Sequence, residues 1–305
     1  MQEAAVKPKF KQWMAAIKPP MYTVAVIPIS VGTAVAFGET QQFDLGIYLT
    51  FLGSAILIIA WLNLTNDVFD ADTGIDKNKA HSVVNLTGNQ SLVFWIANLF
   101  LVLGVLGVVA IAILQQDPTI LGIILLCCAL GYTYQGPPFR LGYQGLGEPI
   151  CFVTFGPLAI AAAYYSQTQI FSTLGLAVGT LIGISTSIIL FCSHFHQVKD
   201  DLAAGKRSPL VRLGTALGAN VLGWATASFY LLTLLWISVG LFSPWALLVF
   251  ASTPFAIQLV RHVQRFHDQP ERVSNCKFFA VNLQFVSGVL LAIAFISPNL
   301  ISSGI

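Results

Sequence analysis

The densest group of chemically active side chains is the stretch NDVFDADTGID, residues 66–76, which carries four carboxylates and one carboxamide. Such oxygen atoms are the ligands that Mg²⁺ prefers, and this ion is often shared with substrate phosphates. If the preceding apolar run continues as a helix to about residue 70, Asn63 and Asp67 are spaced i,i+4. Asn66 and Asp70 have the same spacing, and Asp67 and Asp70 are i,i+3. These spacings predict one polar helix face.

Acids at these spacings repel one another, so helix stability does not explain them. A divalent cation would turn the repulsion into attraction, and Lys77 and Lys79, which follow at once, could contact the far side of a bound anion. Two other interpretations stay open here. One is a solvated loop whose acids cap helix ends, and the other is a calcium loop, although the closing Glu of such a loop is missing at the expected distance.

A second polar loop, residues 194–214, repeats this order of acids before bases after an apolar run. Its polar side chains are His194, His196, Gln197, Lys199, Asp200, Asp201, Lys206, Arg207 and Arg212. Gln197 and Asp201 are i,i+4 and share a helix face. Two such loops predict a paired site, in which carboxylates hold magnesium and cations neutralise a diphosphate. Solvated loops remain the alternative.

The composition predicts the environment of these loops. Of 305 residues, 56% are hydrophobic and 9% are charged, and the mean hydropathy is +0.76. Because a soluble domain usually has about 25% charged residues, this chain cannot form a water-facing surface and is predicted to be an integral membrane protein. The net charge of +2 gives no indication of a nucleic-acid partner.

Nine apolar runs are long enough to be membrane-spanning helices, which need roughly 20 residues each. They cover residues 20–38, 45–63, 91–114, 118–135, 148–166, 171–195, 218–240, 244–262 and 278–298. The first run contains Pro28, where we expect a kink. The fold class is therefore an all-α integral membrane protein with nine transmembrane helices.

The loops between these spans alternate in charge. All Lys and Arg residues lie in the N-terminal tail or in and beside the loops 64–90, 136–147, 196–217 and 263–277. The opposite loops carry only acids, such as Glu39, Asp44 and Asp117. The positive-inside rule then predicts a cytoplasmic N-terminus and long polar loops on the cytoplasmic side.

The chain divides into two parts. Residues 1–19 are predicted to form a basic amphipathic segment on the membrane surface. Residues 20–305 are predicted to form a single membrane domain in contact with the lipid bilayer. The sequence does not define an oligomeric state, and it does not distinguish a plasma membrane from a thylakoid membrane.

The two acidic loops resemble the motifs of the UbiA superfamily of membrane prenyltransferases. The first motif, N-D-x-x-D with a further Asp, matches Asn66, Asp67, Asp70 and Asp76, and the second matches Asp201 ahead of Gly205-Lys206. The stretches SVVNLTGN (82–89), YTYQGPPFRLGYQGLGE (132–148) and GKRSPLVRLG (205–214) are similar to the branch that acts on 1,4-dihydroxy-2-naphthoate. HQVKDDLAAGKRSP is most similar to the cyanobacterial and plastid naphthoate phytyltransferases.

The chain departs from the motifs at three positions. Gln197 stands where the second motif has its first Asp, Asp200 adds a carboxylate, and Gly74 stands where many members of the superfamily place the third Asp of the first motif. In the naphthoate branch Asp76 takes that third role. The resemblance therefore carries over firmly for Asp67, Asp70, Asp76 and Asp201, and less firmly for Asp200 and Gln197.

The resemblance implies nine helices around a central cavity and a Mg²⁺-dependent transfer of a prenyl group, most simply phytyl, from its diphosphate. The aromatic acceptor would be 1,4-dihydroxy-2-naphthoate, with loss of carbon dioxide, in phylloquinone or menaquinone biosynthesis. The catalytic residues would be Asn66, Asp67, Asp70, Asp76 and Asp201. The metal ligands would be Asp67, Asp70, Asp76, Asp200 and Asp201. Substrate contacts are expected from Asn63, Lys77, Lys79, Tyr132, Tyr134, Arg140, Gln197, Lys206 and Arg207. The simpler role for Tyr132 and Tyr134 is that of aromatic residues in the belt at the membrane–water interface. The simpler role for Arg140 is that of a cytoplasmic anchor under the positive-inside rule.

Two rival functions remain at this stage. The first is the same chemistry on another acceptor, such as homogentisate, 4-hydroxybenzoate or chlorophyllide. The second is an ion-coupled transporter. Transporters usually place ionisable groups near the bilayer midplane, whereas here the acids cluster at the ends of the spans, which is evidence against transport.

Overall fold

A computed structural model describes residues 10–73 and 82–302, and all regular secondary structure in these ranges is helical. The α-helices, in chain order, are α1 (Phe10–Ile17), α2 (Thr23–Thr40), α3 (Leu45–Thr73), α4 (Val83–Thr87), α5 (Gln90–Gln115), α6 (Thr119–Gln135), α7 (Gly147–Val153), α8 (Ala159–Thr168), α9 (Thr173–Ser193), α10 (Val198–Ala203), α11 (Pro209–Leu213), α12 (Thr215–Ser238), α13 (Thr253–Phe266), α14 (Pro270–Val273) and α15 (Cys276–Ser302). Short 3₁₀ segments cover Pro19–Tyr22, Leu141–Gln144 and Pro244–Ser252, and a π-helical segment, Thr154–Leu158, joins α7 to α8.

Eight helical stretches within the described ranges are long and apolar enough to cross a membrane. They correspond to eight of the nine predicted spans and are Pro19–Thr40, Leu45–Thr73, Gln90–Gln115, Gly147–Thr168, Thr173–Ser193, Thr215–Ser238, Pro244–Phe266 and Pro270–Ile296. The remaining predicted span, 118–135, corresponds to the apolar helix α6, which has 17 residues. This is short of the roughly 20 residues that a crossing needs. The all-helical architecture is confirmed, while nine crossings and the cytoplasmic N-terminus stay predictions.

The helices pack around α2, α9 and α15, which contribute many of the fully buried apolar side chains, such as Val31, Val178 and Leu291. Outward-facing positions are also apolar: Trp95 on α5 is 68% exposed and Trp224 on α12 is 74% exposed. A soluble protein rarely exposes such large apolar surfaces. The outer surface is therefore suited to lipid contact.

The helix pair α7–α8 and helix α9 approach each other closely. The π-helical segment accommodates Pro157 inside the span, and a Cβ atom at Gly156 would overlap the carbonyl oxygen of Gly179. Only glycine at both positions permits this close backbone contact, which is typical of helix pairs in membranes. The contact fixes α7 and α9 relative to each other, and both of these helices contribute to the site described below.

The N-terminal helix α1 is amphipathic. Phe10, Met14 and Ile17 are exposed, whereas Ala16 is buried in an apolar cluster with Val83 and Val84 of α4. Exposed apolar residues on such a short helix suit the lipid–water interface. The surface role of residues 1–19 stays a prediction, and residues 1–9 lie outside the described ranges.

Candidate active site

The first acidic motif occupies the last turns of α3, which continues to Thr73, so the helical continuation assumed in the sequence analysis is present. Asn63 and Asn66 line a central cavity. Asp67 is buried, and Asp70 is half-buried. Three residues predicted to act with this motif, Asp76, Lys77 and Lys79, lie outside the described residues.

Asp67 is 2% exposed and is held from two directions. Its Oδ2 accepts a hydrogen bond from the backbone N–H of Val83 at 2.8 Å, which ties the end of α3 to the start of α4. Its Oδ1 lies 3.5 Å from Nζ of Lys18. Lys18 precedes the 3₁₀ segment in a left-handed conformation, with φ 52°. The N-terminal segment thus supplies a cation to the first motif.

Among the donors to Asp70 are neutral groups from the end of α6 and from the segment that follows it. The hydroxyl of Tyr143 donates to its Oδ1 at 3.2 Å, and Nε2 of Gln135 lies 3.5 Å from the same oxygen. Burial first, and then the charge of Asp70, raise the pKa of Tyr143 to about 12. Tyr143 therefore keeps its proton at neutral pH and remains a donor to the carboxylate.

The second acidic motif follows α9. Asp201 on α10 is 1% exposed; its Oδ2 lies 3.2 Å from Nδ1 of His194, and its Oδ1 lies 3.5 Å from Nζ of Lys206. That Oδ1 atom is buried and accepts no hydrogen bond. Asp200 and Arg207 are exposed, so this loop directs one acid and one cation, Asp201 and Lys206, into the protein.

His194 bridges two carboxylates. Its Nε2 lies 3.3 Å from Oε1 of Glu148 in the first turn of α7, while its Nδ1 faces Asp201. Burial lowers the pKa of His194, but the contacts with Asp201 and Glu148 outweigh burial, and the net pKa is raised. For Asp201, burial raises the pKa, but the hydrogen bond to His194 and the charge of Lys206 outweigh it, and the net pKa is lowered. The raised pKa of His194 and the lowered pKa of Asp201 both favour an ion pair between these two side chains.

The two motifs meet through a short bridge of side chains. Tyr143, which donates to Asp70, has its ring centroid 5.7 Å from Nζ of Lys206, and Lys206 pairs with Asp201. Cations and aromatic rings attract one another at this distance. Sequence spacing predicts that the motifs form a pair, and the geometry joins Asp70 to Asp201 through Tyr143 and Lys206.

A cavity of about 260 Å³ extends from this polar end into the bundle. Its walls come from α2, α3, α6, α7 and α9, and from the π-helical segment. Side chains with polar atoms, including Asn63, Asn66, Tyr134 and Ser193, lie at the end near the acidic motifs, while Phe51 and Ile124 line the far end. Such a cavity suits a ligand with one polar end and one long apolar end.

The two tyrosines near the end of α6 face different surroundings. Tyr134 lines the cavity and interacts electrostatically with Glu148, Asp70 and Asp201. Tyr132 is 38% exposed, its ring packs on Phe69, and its hydroxyl donates to the carbonyl of Pro137. A substrate contact at the cavity therefore suits Tyr134, and the belt role suits Tyr132.

Arg140 is half-buried, and its guanidinium carbon lies 6.0 Å from the ring centroid of Tyr143. Its Nε is buried and donates no hydrogen bond. Together with Lys206, it places a second cation on the ring that contacts Asp70. This position is consistent with an anion site between the two motifs.

The donor atoms fit a magnesium ion shared with a phosphate group. Among residues 10–73 and 82–302, no three His, Cys, Asp or Glu side chains form a cluster that could hold a metal. Mg²⁺ does not need such a cluster, because it keeps several waters and commonly binds one or two carboxylates together with substrate phosphates. The Oδ1 of Asp201, which accepts no hydrogen bond from the described residues, and the oxygens of Asp67 and Asp70 offer ligands of the required kind.

Several contacts of the site were not predicted from the sequence. These are Lys18 with Asp67, Tyr143 with Asp70, and Glu148 with His194. Their partners are separated by 49, 73 and 46 residues, distances that no local periodicity can reveal. The stretch 132–148 was nevertheless recognisable as a motif, and Tyr143 lies within it. His194 lies at the C-terminal end of α9 and contacts Asp201 through its ring nitrogen.

The fold resembles those of solved membrane prenyltransferase homologs. A UbiA homolog from Archaeoglobus fulgidus bound to DMAPP and Mg²⁺ superposes with a TM-score of 0.57 at 17% sequence identity, covering 94% of this chain and 99% of that chain. The model of the UbiA prenyltransferase family matches residues 25–289. The chain belongs to this family, as its two motifs suggest.

Two curated relatives are much closer in sequence. The chain is 63% identical over 286 residues to the 2-carboxy-1,4-naphthoquinone phytyltransferase of Synechocystis, and the match covers 92% of each chain. It is 44% identical over 299 residues to the chloroplastic 2-carboxy-1,4-naphthoquinone phytyltransferase of Arabidopsis thaliana, covering 95% of this chain and 78% of the relative.

Proposed function

We propose that this protein transfers a phytyl group from its diphosphate to 1,4-dihydroxy-2-naphthoate, with decarboxylation, in quinone biosynthesis. The observation that carries the proposal is the identity of 63% to a naphthoquinone phytyltransferase over almost the whole chain. The cavity is consistent with it, since acids and cations surround one end and apolar side chains line the other. The protein is accordingly an aromatic prenyltransferase embedded in a membrane.

The diphosphate would bind at the polar end of the cavity. Asp67, Asp70 and Asp201, together with Asp76 and Asp200 on the motif pattern, would hold Mg²⁺, with Asn63, Asn66 and Gln197 beside them. Bound Mg²⁺ would supply positive charge that stabilises the departing diphosphate. Lys206 and Arg140 both face the ring of Tyr143, whose hydroxyl donates to Asp70. Lys77, Lys79 and Arg207 would complete the neutralisation of charge.

The departing diphosphate leaves an allylic cation that must be protected from water. The apolar walls of the cavity exclude water from the reacting carbon, and the ring of Tyr134 at the cavity surface offers a face that attracts cations. The isoprenoid tail would extend toward Phe51, away from the charged end. Both substrate and product tails then remain in apolar surroundings.

The acceptor must be electron-rich to consume the cation. The relatives' names give the acceptor skeleton as 2-carboxy-1,4-naphthoquinone, and we propose its two-electron-reduced form because a quinone ring is a poor nucleophile. A carbon–carbon bond forms at the carboxyl-bearing carbon while the carbon–oxygen bond to diphosphate breaks. The carboxylate then leaves as carbon dioxide, and its bonding electrons restore the aromatic ring.

The orientation of the protein follows from the loop charges. We propose that the acidic motifs and the N-terminus face the cytoplasmic side, because the basic residues concentrate there. Residues 1–19 would lie on that surface, ahead of a single membrane domain covering residues 20–305. The proposed location is a plasma membrane or a thylakoid membrane, and the name of the plant relative places that protein in the chloroplast.

The test uses purified protein in detergent or liposomes. The protein is supplied with phytyl diphosphate, 1,4-dihydroxy-2-naphthoate and either Mg²⁺ or excess chelator. We expect a decarboxylated, prenylated naphthoquinol by mass spectrometry only when Mg²⁺ is present. Homogentisate and 4-hydroxybenzoate serve as alternative acceptors in parallel reactions. Product with one of them alone would overturn the proposed acceptor, and no product with any acceptor would overturn prenyl transfer.

A further inference from the structure

The cavity follows one face of α3 over four helical turns. Its lining residues on this helix recur every three or four positions and are Phe51, Ala55, Ile58, Ile59, Leu62, Asn63 and Asn66. At 1.5 Å per residue, the distance along the helix from Asn66 to Phe51 is about 22 Å. The charged groups lie at the Asn66 end, so Phe51 marks the deep end.

The deep end is closed by packed side chains. Phe51 is 1% exposed and belongs to an apolar cluster with Ile111 of α5 and Ile120 of α6, both fully buried. One turn beyond Phe51 on the same helix face, the hydroxyl of Tyr48 is 2.9 Å from Oγ of Ser30 on α2. A chain that passed Phe51 would have to displace this cluster and then meet a hydrogen-bonded pair, and packed interiors resist such insertions.

We infer that Phe51 is the floor of the tail-binding cavity and sets the longest isoprenoid that the enzyme accepts. The inference rests on the proposed function, since the diphosphate must lie at the polar end for the tail to extend toward Phe51. Measured along α3, the distance from the polar end to Phe51 is about 22 Å. A phytyl tail fits this depth when extended, whereas an octaprenyl tail, about twice as long, does not.

The test compares Phe51→Ala with wild type for the ratio of kcat/KM with pentaprenyl diphosphate, whose tail is one isoprene unit longer than phytyl, to kcat/KM with phytyl diphosphate. We expect the ratio to rise about ten- to hundredfold, because removal of the aromatic ring opens space at the floor. Ala55→Phe makes the opposite change one turn nearer the polar end. It is expected to lower activity with phytyl diphosphate while retaining activity with the shorter geranyl diphosphate.

Ile111→Ala is the matched control, since Ile111 belongs to the same buried cluster but does not line the cavity. It should lower thermal stability and leave the ratio unchanged. An unchanged ratio in folded Phe51→Ala, or equal losses with all tails in Ala55→Phe, would overturn the inference and indicate that the tail leaves the cavity sideways into lipid. If Phe51→Ala does not fold, Ala55→Phe alone decides. A wild type that is inactive with every prenyl diphosphate would instead contradict the proposed function.

Discussion

The end of α3 and the connection from α9 to α10 both bring acids to the same end of the cavity, but they surround those acids differently. On α3, Asp70 is half-buried and receives neutral donors from Tyr143 and Gln135. On the other side, Asp201 is buried between His194 and Lys206. The first carboxylate can exchange its present donors for a ligand, whereas the second belongs to a buried network of charges.

Because their surroundings differ, Asp70 and Asp201 should affect protein stability to different extents even though both are proposed to act in turnover. Neutral donors of a half-buried carboxylate can turn to water when the acid is removed, so the cost to folding is small. Buried charges that lose a partner have no such alternative, so the cost is large. Two motifs with one proposed role should therefore respond differently to the same substitution.

The largest expected effect is on turnover. Asp70→Ala and Asp201→Ala should each lower kcat by at least about a hundredfold, since each removes a group that stabilises the charge of the leaving diphosphate. Initial rates of prenylation at saturating Mg²⁺ measure this. Asp72→Ala removes an exposed acid from the same end of α3 and should stay within about twofold of wild type. Near-normal rates in either motif variant would remove that motif from the site.

The second effect is on stability and distinguishes the motifs. Asp201→Ala should destabilise the protein by about 3 kcal/mol, because His194 and Lys206 are left as buried charges without their partner. Asp70→Ala should cost less, about 1.5 kcal/mol, the lower value for a hydrogen bond to a charged group, because its donors are half-buried and can turn to water. Thermal unfolding in detergent with chelator present compares the two. Equal losses of stability would contradict the proposed difference between the motifs.

A smaller effect is expected from the bridge between the motifs. Tyr143→Phe removes the hydroxyl that donates to Asp70 but keeps the ring that faces Lys206 and Arg140. Because hydrogen bonds to charged groups contribute about 1.5–3 kcal/mol, kcat/KM should fall about tenfold or somewhat more. Tyr132→Phe is the control, since that hydroxyl donates to the backbone carbonyl of Pro137 and, among the described residues, to no carboxylate. Equal effects of the two substitutions would show that Tyr143 has no special role.

The smallest expected effect is on pH dependence. The pKa of His194 is raised above 6.5 by Asp201 and Glu148 despite burial. Its contribution to stability is therefore complete below pH 6.5 and is lost as the pH rises through the folded-state pKa. Asp201 has a lowered pKa, so its contribution is present above pH 3.8 and is lost as the pH falls. Melting temperatures measured with chelator should decline on the alkaline side in wild type and less in His194→Gln. Identical pH profiles of the melting temperature in wild type and His194→Gln would contradict an ion pair between His194 and Asp201.

Much of the fold was predictable because it depends on local patterns. Apolar runs predicted the long helices to within a few residues at most ends. The assumed continuation of the helix past the apolar run to about residue 70 agrees with α3, which ends at Thr73. The predicted span 244–262 is a 3₁₀ segment followed by α13, which extends to Phe266. Hydropathy reports length and polarity, but it does not distinguish 3₁₀ from α-helical geometry.

The site was only partly predictable, because contacts across the bundle depend on tertiary packing. The acids themselves were identified, but their partners Lys18, Tyr143 and Glu148 lie far away in the chain. The different surroundings of Tyr132 and Tyr134 could have been inferred from the sequence, since residues at i and i+2 do not share a helix face. The opposite exposures of Asp200 and Asp201 follow in the same way from their adjacent positions on α10.

We propose that the two motifs together bind one metal–diphosphate group. The most direct measurement is the affinity of a non-reactive phytyl diphosphate analogue for wild type, Asp70→Asn and Asp201→Asn, each with Mg²⁺ and with chelator. We expect tighter binding of the analogue with Mg²⁺ in wild type, and loss of that Mg²⁺-dependent gain in affinity in both variants. Retention of the full gain in either variant would contradict the claim, because that motif would then hold no part of the metal–diphosphate group.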